Sequence, residues 1–331
     1  MNILVTGGAG YIGSVVVDEL VSKHKVIVYD DLSTGNKKFV NKKSIFVNGS
    51  ILDLNKLLVI FKKYKINAVI HLAAKTVVGE SVSMPAFYYE NNVIGTFNLL
   101  KTMVKLGCKK IIFASSAAVY GNLNKKLILE SEPKKPCNPY GSTKLCCESM
   151  IHDFAYSNNL KYCIYRFFNV AGASKKADYG MARDKLTLLI PLINQSIILN
   201  KKFFIFGKHF NTVDKTALRD YVHVLDLANA LILGLKFLSN NKSCCVNLCS
   251  NKGYTVKQVY DIATKVLKKQ KNFMYKPSRA GDPDVLVGSN KKSYEILKWK
   301  PKYNLVDMIK SDYLFRIKLK HQDPLLGLAY T

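Results

Sequence analysis

Over the first 170 residues, short apolar runs alternate with longer stretches whose apolar positions recur every three or four residues. The runs at 3–5, 26–29, 45–47, 68–71, 111–114 and 162–167 are almost free of polar alternation, the pattern of parallel strands covered on both faces. Helical patterns lie between them at 15–20, 54–64, 88–106 and 140–157. Asp53 is placed to cap the second helix and Gly107 to end the third, while a loop with Pro133, Pro136 and Pro139 leads into the fourth. This alternation predicts an α/β protein with a Rossmann-type, doubly wound parallel sheet and helices on both faces. Beyond residue 168 the pattern is irregular: a helix at 186–199, a strand at 203–206, a strand end and helix within 219–238, and helices at 256–268 and 289–297. Turns are expected at Pro277, Gly281 and Pro283. The division that follows is a Rossmann domain at 1–170, rejoined by 213–245, and a smaller α/β substrate-binding domain at 171–212 and 246–331. Neither internal repeats nor a disordered tail are expected.

The densest signal is at residues 2–31. A buried-type strand runs into Gly7, Gly8, Gly10 and Gly13, a helix follows, and a second strand closes on Asp30 and Asp31. Glycines let the backbone turn tightly and approach a pyrophosphate with no Cβ in the way, and the helix start holds the phosphate charge. Asp30 stands where a carboxylate accepts from an adenosine ribose and repels a 2′-phosphate. The cofactor expected is therefore NAD rather than NADP.

Composition alters this picture little. No apolar run approaches the length of a membrane span and no leader is visible, which predicts a cytoplasmic protein with no membrane partner. The eight cysteines show no CxxC and no Cys/His ligand spacing, so core thiols and no metal are expected. A net charge of +27 invites a nucleic-acid reading. Only five of the 50 basic residues are Arg, however, and the lysines are dispersed in pairs without interleaved aromatics, so no nucleic-acid partner is expected. The scarcity of Arg marks the positions that kept it: Arg166, Arg183, Arg219, Arg279 and Arg316.

Catalytic chemistry is expected from Ser116, Tyr140 and Lys144. Tyr140 and Lys144 share one face of a helix start, and an ammonium near a phenol favours the phenolate, a usable base. The same spacing recurs at Tyr294 and Lys298, so placement decides. The first pair follows the fifth strand and Ser115-Ser116, at the carboxyl edge of the sheet where ligands bind in this architecture. Ser116 would offer its hydroxyl to the same substrate oxygen.

TGGAGYIG (6–13), Asp30, HLAA (71–74), VGES (78–81), NNVIGT (91–96), SSAAVYG (115–121), PYGSTK (139–144), RFFN (166–169) and RDYVHVLDLA (219–228) stand in this order along the chain. Together they resemble the extended short-chain dehydrogenase/reductase family, in its nucleotide-sugar 4-epimerase branch. The resemblance runs from residue 1 to about 320 and implies NAD-dependent interconversion of UDP-glucose and UDP-galactose, with the N-acetylated pair as a further substrate. It implies cofactor contacts at Gly7, Gly10, Tyr11, Ile12, Gly13, Asp30, Ile51, Ala73, Asn91, Ser116, Tyr140, Lys144 and Phe168. Contacts to the UDP-sugar fall on Ser116, Tyr140, Asn169, Phe206, Arg219, Arg279, Asp282 and Leu286. Arg219 and Arg279 suit a diphosphate, which takes bidentate donors; the plainer reading is ion pairing with Asp220 and Asp282. The resemblance also suggests a homodimer through the helices at 88–106 and 140–157.

Four positions depart from the branch pattern. Ser50 replaces an Asp near the adenine, Thr76 a Lys beside Lys75, Leu188 an Asn or His, and Leu286 a Tyr or small residue near the sugar. These affect affinity and sugar choice, not reaction type. A 4,6-dehydratase would need an acid pair after Ser116, where Ala117 and Ala118 stand. A UDP-glucuronate 4-epimerase or another nucleotide-sugar enzyme of the family remains the alternative. A non-catalytic NAD- or RNA-binding relative is the remote one, and it would be expected to have lost Ser116, Tyr140 or Lys144.

Overall fold

The computed structural model describes all residues except 124, 184, 279–282 and 324–331. Arg279, Asp282, the turn at Gly281 and the end of the C-terminal tail therefore lie outside the described residues. The strands are β1 (Asn2–Thr6), β2 (Lys25–Asp30), β3 (Ile45–Asn48), β4 (Ala68–His71), β5 (Lys110–Ser116), β6 (Lys161–Phe167), β7 (Asn169–Ala171), β8 (Phe203–Phe206), β9 (Leu218–His223), β10 (Cys244–Leu248), β11 (Gly253–Thr255), β12 (Phe273–Lys276) and β13 (Val285–Leu286). The helices are α1 (Tyr11–Leu20), α2 (Leu54–Tyr64), α3 (Val78–Ser83), α4 (Pro85–Tyr88), α5 (Gly95–Lys105), α6 (Pro139–Asn158), α7 (Leu189–Ile198), α8 (Val224–Ser239), α9 (Val256–Val266), α10 (Lys291–Leu297) and α11 (Leu305–Gln322).

Seven parallel strands form the main sheet in the order β10-β6-β5-β4-β1-β2-β3. Alternate side chains of each strand feed opposite cores, as the pleat requires. Ile3, Val5, Val26, Val28 and Ile70 pack under α1 and α8, whereas Leu4, Ile27, Tyr29 and Val69 pack under α2, α5 and α6. Both faces are covered, so the strands read as apolar runs. The order reverses between β1 and β4, and this switch point is where a doubly wound sheet opens its ligand crevice.

The expected α/β class and the first six strands stand as read. Strand β10 carries no signal in the sequence reading, because CCVNL is a short edge segment interrupted by Asn247. It lies across residue 245, and Leu297 and Trp299 from beyond it pack into the main-sheet core under α8. The helix expected at 88–106 is not continuous. A wide π turn (Tyr89–Ile94) precedes α5, and it buries Asn91 and Asn92. Asn92 accepts from Lys75 N at 2.8 Å and donates to Lys75 O at 3.1 Å and to Thr143 Oγ1 at 3.1 Å, satisfying groups that a regular helix would leave unmatched. A second layer, with the sheet β11-β9-β13 (β7 alongside β9) and the β12-β8 pair, packs on α7, α9 and α11. Among the described residues no helix is long and apolar enough to cross a membrane, and no group of side chains is set to hold a metal ion.

Candidate active site

At the switch point the loop after β1 is locked by its own lack of side chains. Gly7 has φ +71°, and a Cβ there would stand 2.6 Å from Ala73 N. A Cβ on Gly13 would stand 2.1 Å from the Gly7 carbonyl oxygen. Helix α1 begins directly after Gly10 with no side-chain cap and no acid in its first turn, so its N–H groups are presented to an anion. Asp30 closes β2 and is buried; its carboxylate accepts from Ala9 N at 3.0 Å and Leu32 N at 2.8 Å. Burial pushes its pKa up, and the two N–H bonds oppose that.

These groups line a cavity of about 310 Å³, in the size range of small-molecule sites. Gly7, Gly10, Tyr11, Ile12, Gly13, Asp30, Ile51, Ala73, Asn91, Ser116, Tyr140, Lys144 and Phe168 are all on its wall. The side-chain-free turn, the uncapped helix start and the strand-end carboxylate fit a dinucleotide. Thr76 and Leu188 are on the same wall. Lys75 Nζ donates to Ser33 Oγ at 2.9 Å, and Ser50 accepts from Tyr29 at its carbonyl at 2.7 Å.

The groups expected to react stand where β5 and α6 meet. Asn138 caps α6 by accepting from Gly141 N at 2.9 Å, with Pro139 in the first turn. This fixes Tyr140 at the helix mouth, on the same cavity wall as Ser116. Ser116 Oγ accepts from Ala118 N at 3.1 Å. Burial raises the pKa of Tyr140; the nearby Ser116 hydroxyl and the Arg183 guanidinium lower it. Lys144 lies one turn further on. Its Nζ donates to Ala114 O at 2.8 Å and stands 4.8 Å from the Phe113 ring centre. Burial depresses its pKa to about 8.

Besides Lys144, which donates to the Ala114 carbonyl, Arg183 brings a second cation to this cavity, and its charge lowers the pKa of Tyr140. Arg183 lines the cavity and donates to Thr76 Oγ1 at 3.4 Å. The sequence reading marked it only as one of five arginines. That scarcity was the signal.

A second cavity, about 210 Å³, shares Ser116, Tyr140, Phe167, Phe168 and Asn169 with the first. Arg219 and Leu286 are on its wall. Asn169 Nδ2 donates to the Asp220 carbonyl at 2.9 Å. Arg219 Nη1 donates to Leu218 O at 2.9 Å and Pro283 O at 2.7 Å. The Asp220 carboxylate turns inward, accepting from Ser250 N and Oγ at 2.7 Å each, and burial raises its pKa to about 7. Phe206 closes β8 and is on neither wall. The two cavities thus meet at one hydroxyl pair, Ser116 and Tyr140.

The chain matches the family described as GDP-mannose 4,6 dehydratase over residues 4–311. It is 43% identical over 310 residues to a UDP-glucose 4-epimerase of Lactobacillus helveticus, with 93% of this chain and 94% of that relative covered. It is similar to the solved UDP-glucose 4-epimerase of Bifidobacterium longum in complex with NAD+ and UDP, with a TM-score of 0.91, 29% identity and 100% of both chains covered. The UDP-Glc/GlcNAc 4-epimerase of Campylobacter jejuni aligns at a TM-score of 0.83 and 35% identity, with 96% of this chain and 99% of that one covered.

Proposed function

The chain belongs to the UDP-glucose 4-epimerase family, and on that premise we propose that it is an NAD-dependent isomerase interconverting UDP-glucose and UDP-galactose at C4. One observation carries the reading: the dinucleotide-type cavity and the second cavity share the hydroxyl side chains of Ser116 and Tyr140. When bound, NAD supplies the acceptor and donor of a hydride at the sugar's C4. Tyr140 takes the 4-hydroxyl proton and later returns it, while Ser116 holds the same oxygen. Lys144 commits one of its three donors to Ala114 and has two left for the cavity it lines. The sugar is held by its UDP moiety, with Asn169 and Arg219 on the wall that receives it, so the 4-keto sugar can present its other face.

The described residues of that wall carry no carboxylate, and Ser116 is followed by Ala117 and Ala118, the latter with its N–H on the serine oxygen. This favours epimerisation over the water elimination of a 4,6-dehydratase, which needs an acid. Leu286 is on the same wall and packs against the apolar cluster that includes Phe168, where its bulk would limit the space for a C2 substituent without leaving a polar group unpaired. The N-acetylated pair is therefore a secondary substrate. We read residues 1–170 with 213–245 as the cofactor part and 171–212 with 246–331 as the substrate part, except that the rest of β10 and the Leu297–Trp299 segment pack with the cofactor part, and the cytoplasm as the compartment.

We also propose a homodimer through α4, the π turn and α5 beside α6. Met84, Phe87, Tyr89, Ile94 and Phe97 are exposed together there, a patch that a second copy would cover. Light scattering behind size exclusion should give twice the chain mass; the single-chain mass would refute the dimer. The function itself is tested by incubating the purified protein with UDP-galactose, then UDP-N-acetylgalactosamine, and separating the products. UDP-glucose should form faster than UDP-N-acetylglucosamine. No conversion of either sugar would refute the reading.

A further inference from the structure

Beneath the catalytic groups lies a buried polar network that the reaction as described does not use. Glu148 sits one helical turn beyond Lys144 on α6 and is buried. Arg166 of β6 grips it with two bonds, Nε to Oε1 at 2.9 Å and Nη2 to Oε2 at 2.6 Å. Ser115 Oγ of β5 donates to the same Oε1, and Ser115 is the register partner of Arg166 across the β5–β6 pair. Arg166 Nη1 donates to the Tyr120 hydroxyl at 2.9 Å, and that hydroxyl donates to Asn247 Oδ1 of β10 at 2.7 Å. One carboxylate thereby ties together the residue before Ser116, the helix that carries Tyr140 and Lys144, and two neighbouring strands.

We propose that Glu148, locked by Arg166 and Ser115, is a positioning residue for the C4 reaction. It holds the α6 turn bearing Tyr140 and Lys144 in register with the β5 end bearing Ser116. The proposal rests on the epimerase reading. A buried ion pair is a weak source of stability, because desolvation offsets its attraction, and well-packed apolar residues of similar volume often serve as well. What such a pair does fix is geometry, and here it sits one turn from a base and one residue from its partner hydroxyl.

The carboxylate also faces Lys144 electrostatically. Cys147 and Glu148 of α6 raise the lysine's pKa against the burial that lowers it. Lys144 in turn bears on His71 of β4. Arg166 of β6 and Cys245 of β10 face the outer side of Glu148. Removing the negative charge removes a group that keeps Lys144 protonated, so activity that needs the ammonium is lost at lower pH.

The test compares wild type, Glu148→Gln and the double variant Glu148→Met/Arg166→Met, each with its resident dinucleotide, on UDP-galactose across pH. Glu148→Gln should lose roughly 10- to 100-fold in kcat, the scale of misplacing reacting groups from outside the chemistry. KM should be unchanged, and the alkaline limb of kcat should move to lower pH. Glu148→Gln leaves Arg166 facing a neutral partner and can fail to fold. The double variant removes both charges in an apolar pair and keeps the question answerable. It should fold and retain NAD, yet show the same loss of kcat and the same movement of the limb. A double variant with wild-type kcat and pH profile would make the pair merely structural and overturn the proposal, as would a folded Glu148→Gln with an unmoved limb. A wild type without turnover would instead sink the epimerase reading.

Discussion

The two cavities that meet at Tyr140 are built in opposite ways. The first is made largely of backbone and of one contiguous stretch, with a turn emptied of side chains, a helix start and a strand-end acid within residues 2–31. The second is made of side chains brought from Val78, the turn after Ser116, Phe168–Asn169, Arg219 and Leu286, which are far apart in the chain. A backbone site tolerates almost no substitution but accepts one ligand shape. A side-chain site changes preference by single replacements. The Ser116 and Tyr140 hydroxyls stand on the boundary between them.

The sharpest way to break the comparison is at the boundary. Tyr140→Phe keeps the ring and its edge-to-face contact with Tyr88 at 6.5 Å, so both cavities should persist. The variant should retain NAD and bind UDP while kcat falls by roughly 10²- to 10⁴-fold, as for loss of a positioned acid–base group. Turnover near wild type would place the base elsewhere. The backbone site comes next. Gly13→Ala forces a Cβ to within 2.1 Å of the Gly7 carbonyl, so the turn must shift. Overpacking of this kind costs about 1–3 kcal/mol, read in thermal melts, together with less NAD released on denaturation. Full NAD content and an unchanged melt would show that the turn is not the tight cradle described.

The smallest effect belongs to the side-chain site. Leu286→Tyr should suppress activity on the N-acetylated pair relative to the plain pair, by about 1–3 kcal/mol of discrimination, and leave NAD content alone. An unchanged ratio of the two activities would remove Leu286 from the sugar wall.

The same contrast explains what was legible in the sequence. The first six strands and the glycine turn were readable because a strand buried on both faces must be apolar throughout, and a left-handed Gly7 has few substitutes. Asp53 capping α2 and Gly107 with positive φ after α5 were local signals, and both stand in the structure. The π turn at Tyr89–Ile94 was not readable, because Asn92 is held there by Lys75 and Thr143, partners distant in the chain. The edge strand β10 was missed for a related reason. Its Asn247 accepts from Tyr120 and donates to Ile128, so a buried polar residue interrupts the apolar run. Arg183, on the cavity wall with Tyr140, was flagged only by the rarity of Arg, and Arg166 by that rarity and the RFFN run, neither of which names Glu148 as its partner. A residue type can say that a planar cation is needed, but not where the fold delivers it.

The central claim is that a hydride leaves C4 and returns to C4 within one site. Its most direct test is UDP-galactose carrying deuterium at C4, incubated with the purified protein in ordinary water without added NAD, and product analysis by mass spectrometry and NMR. The account predicts UDP-glucose that keeps the deuterium at C4. Loss of the label to solvent, or conversion only after NAD is supplied as a consumed reactant, would contradict it.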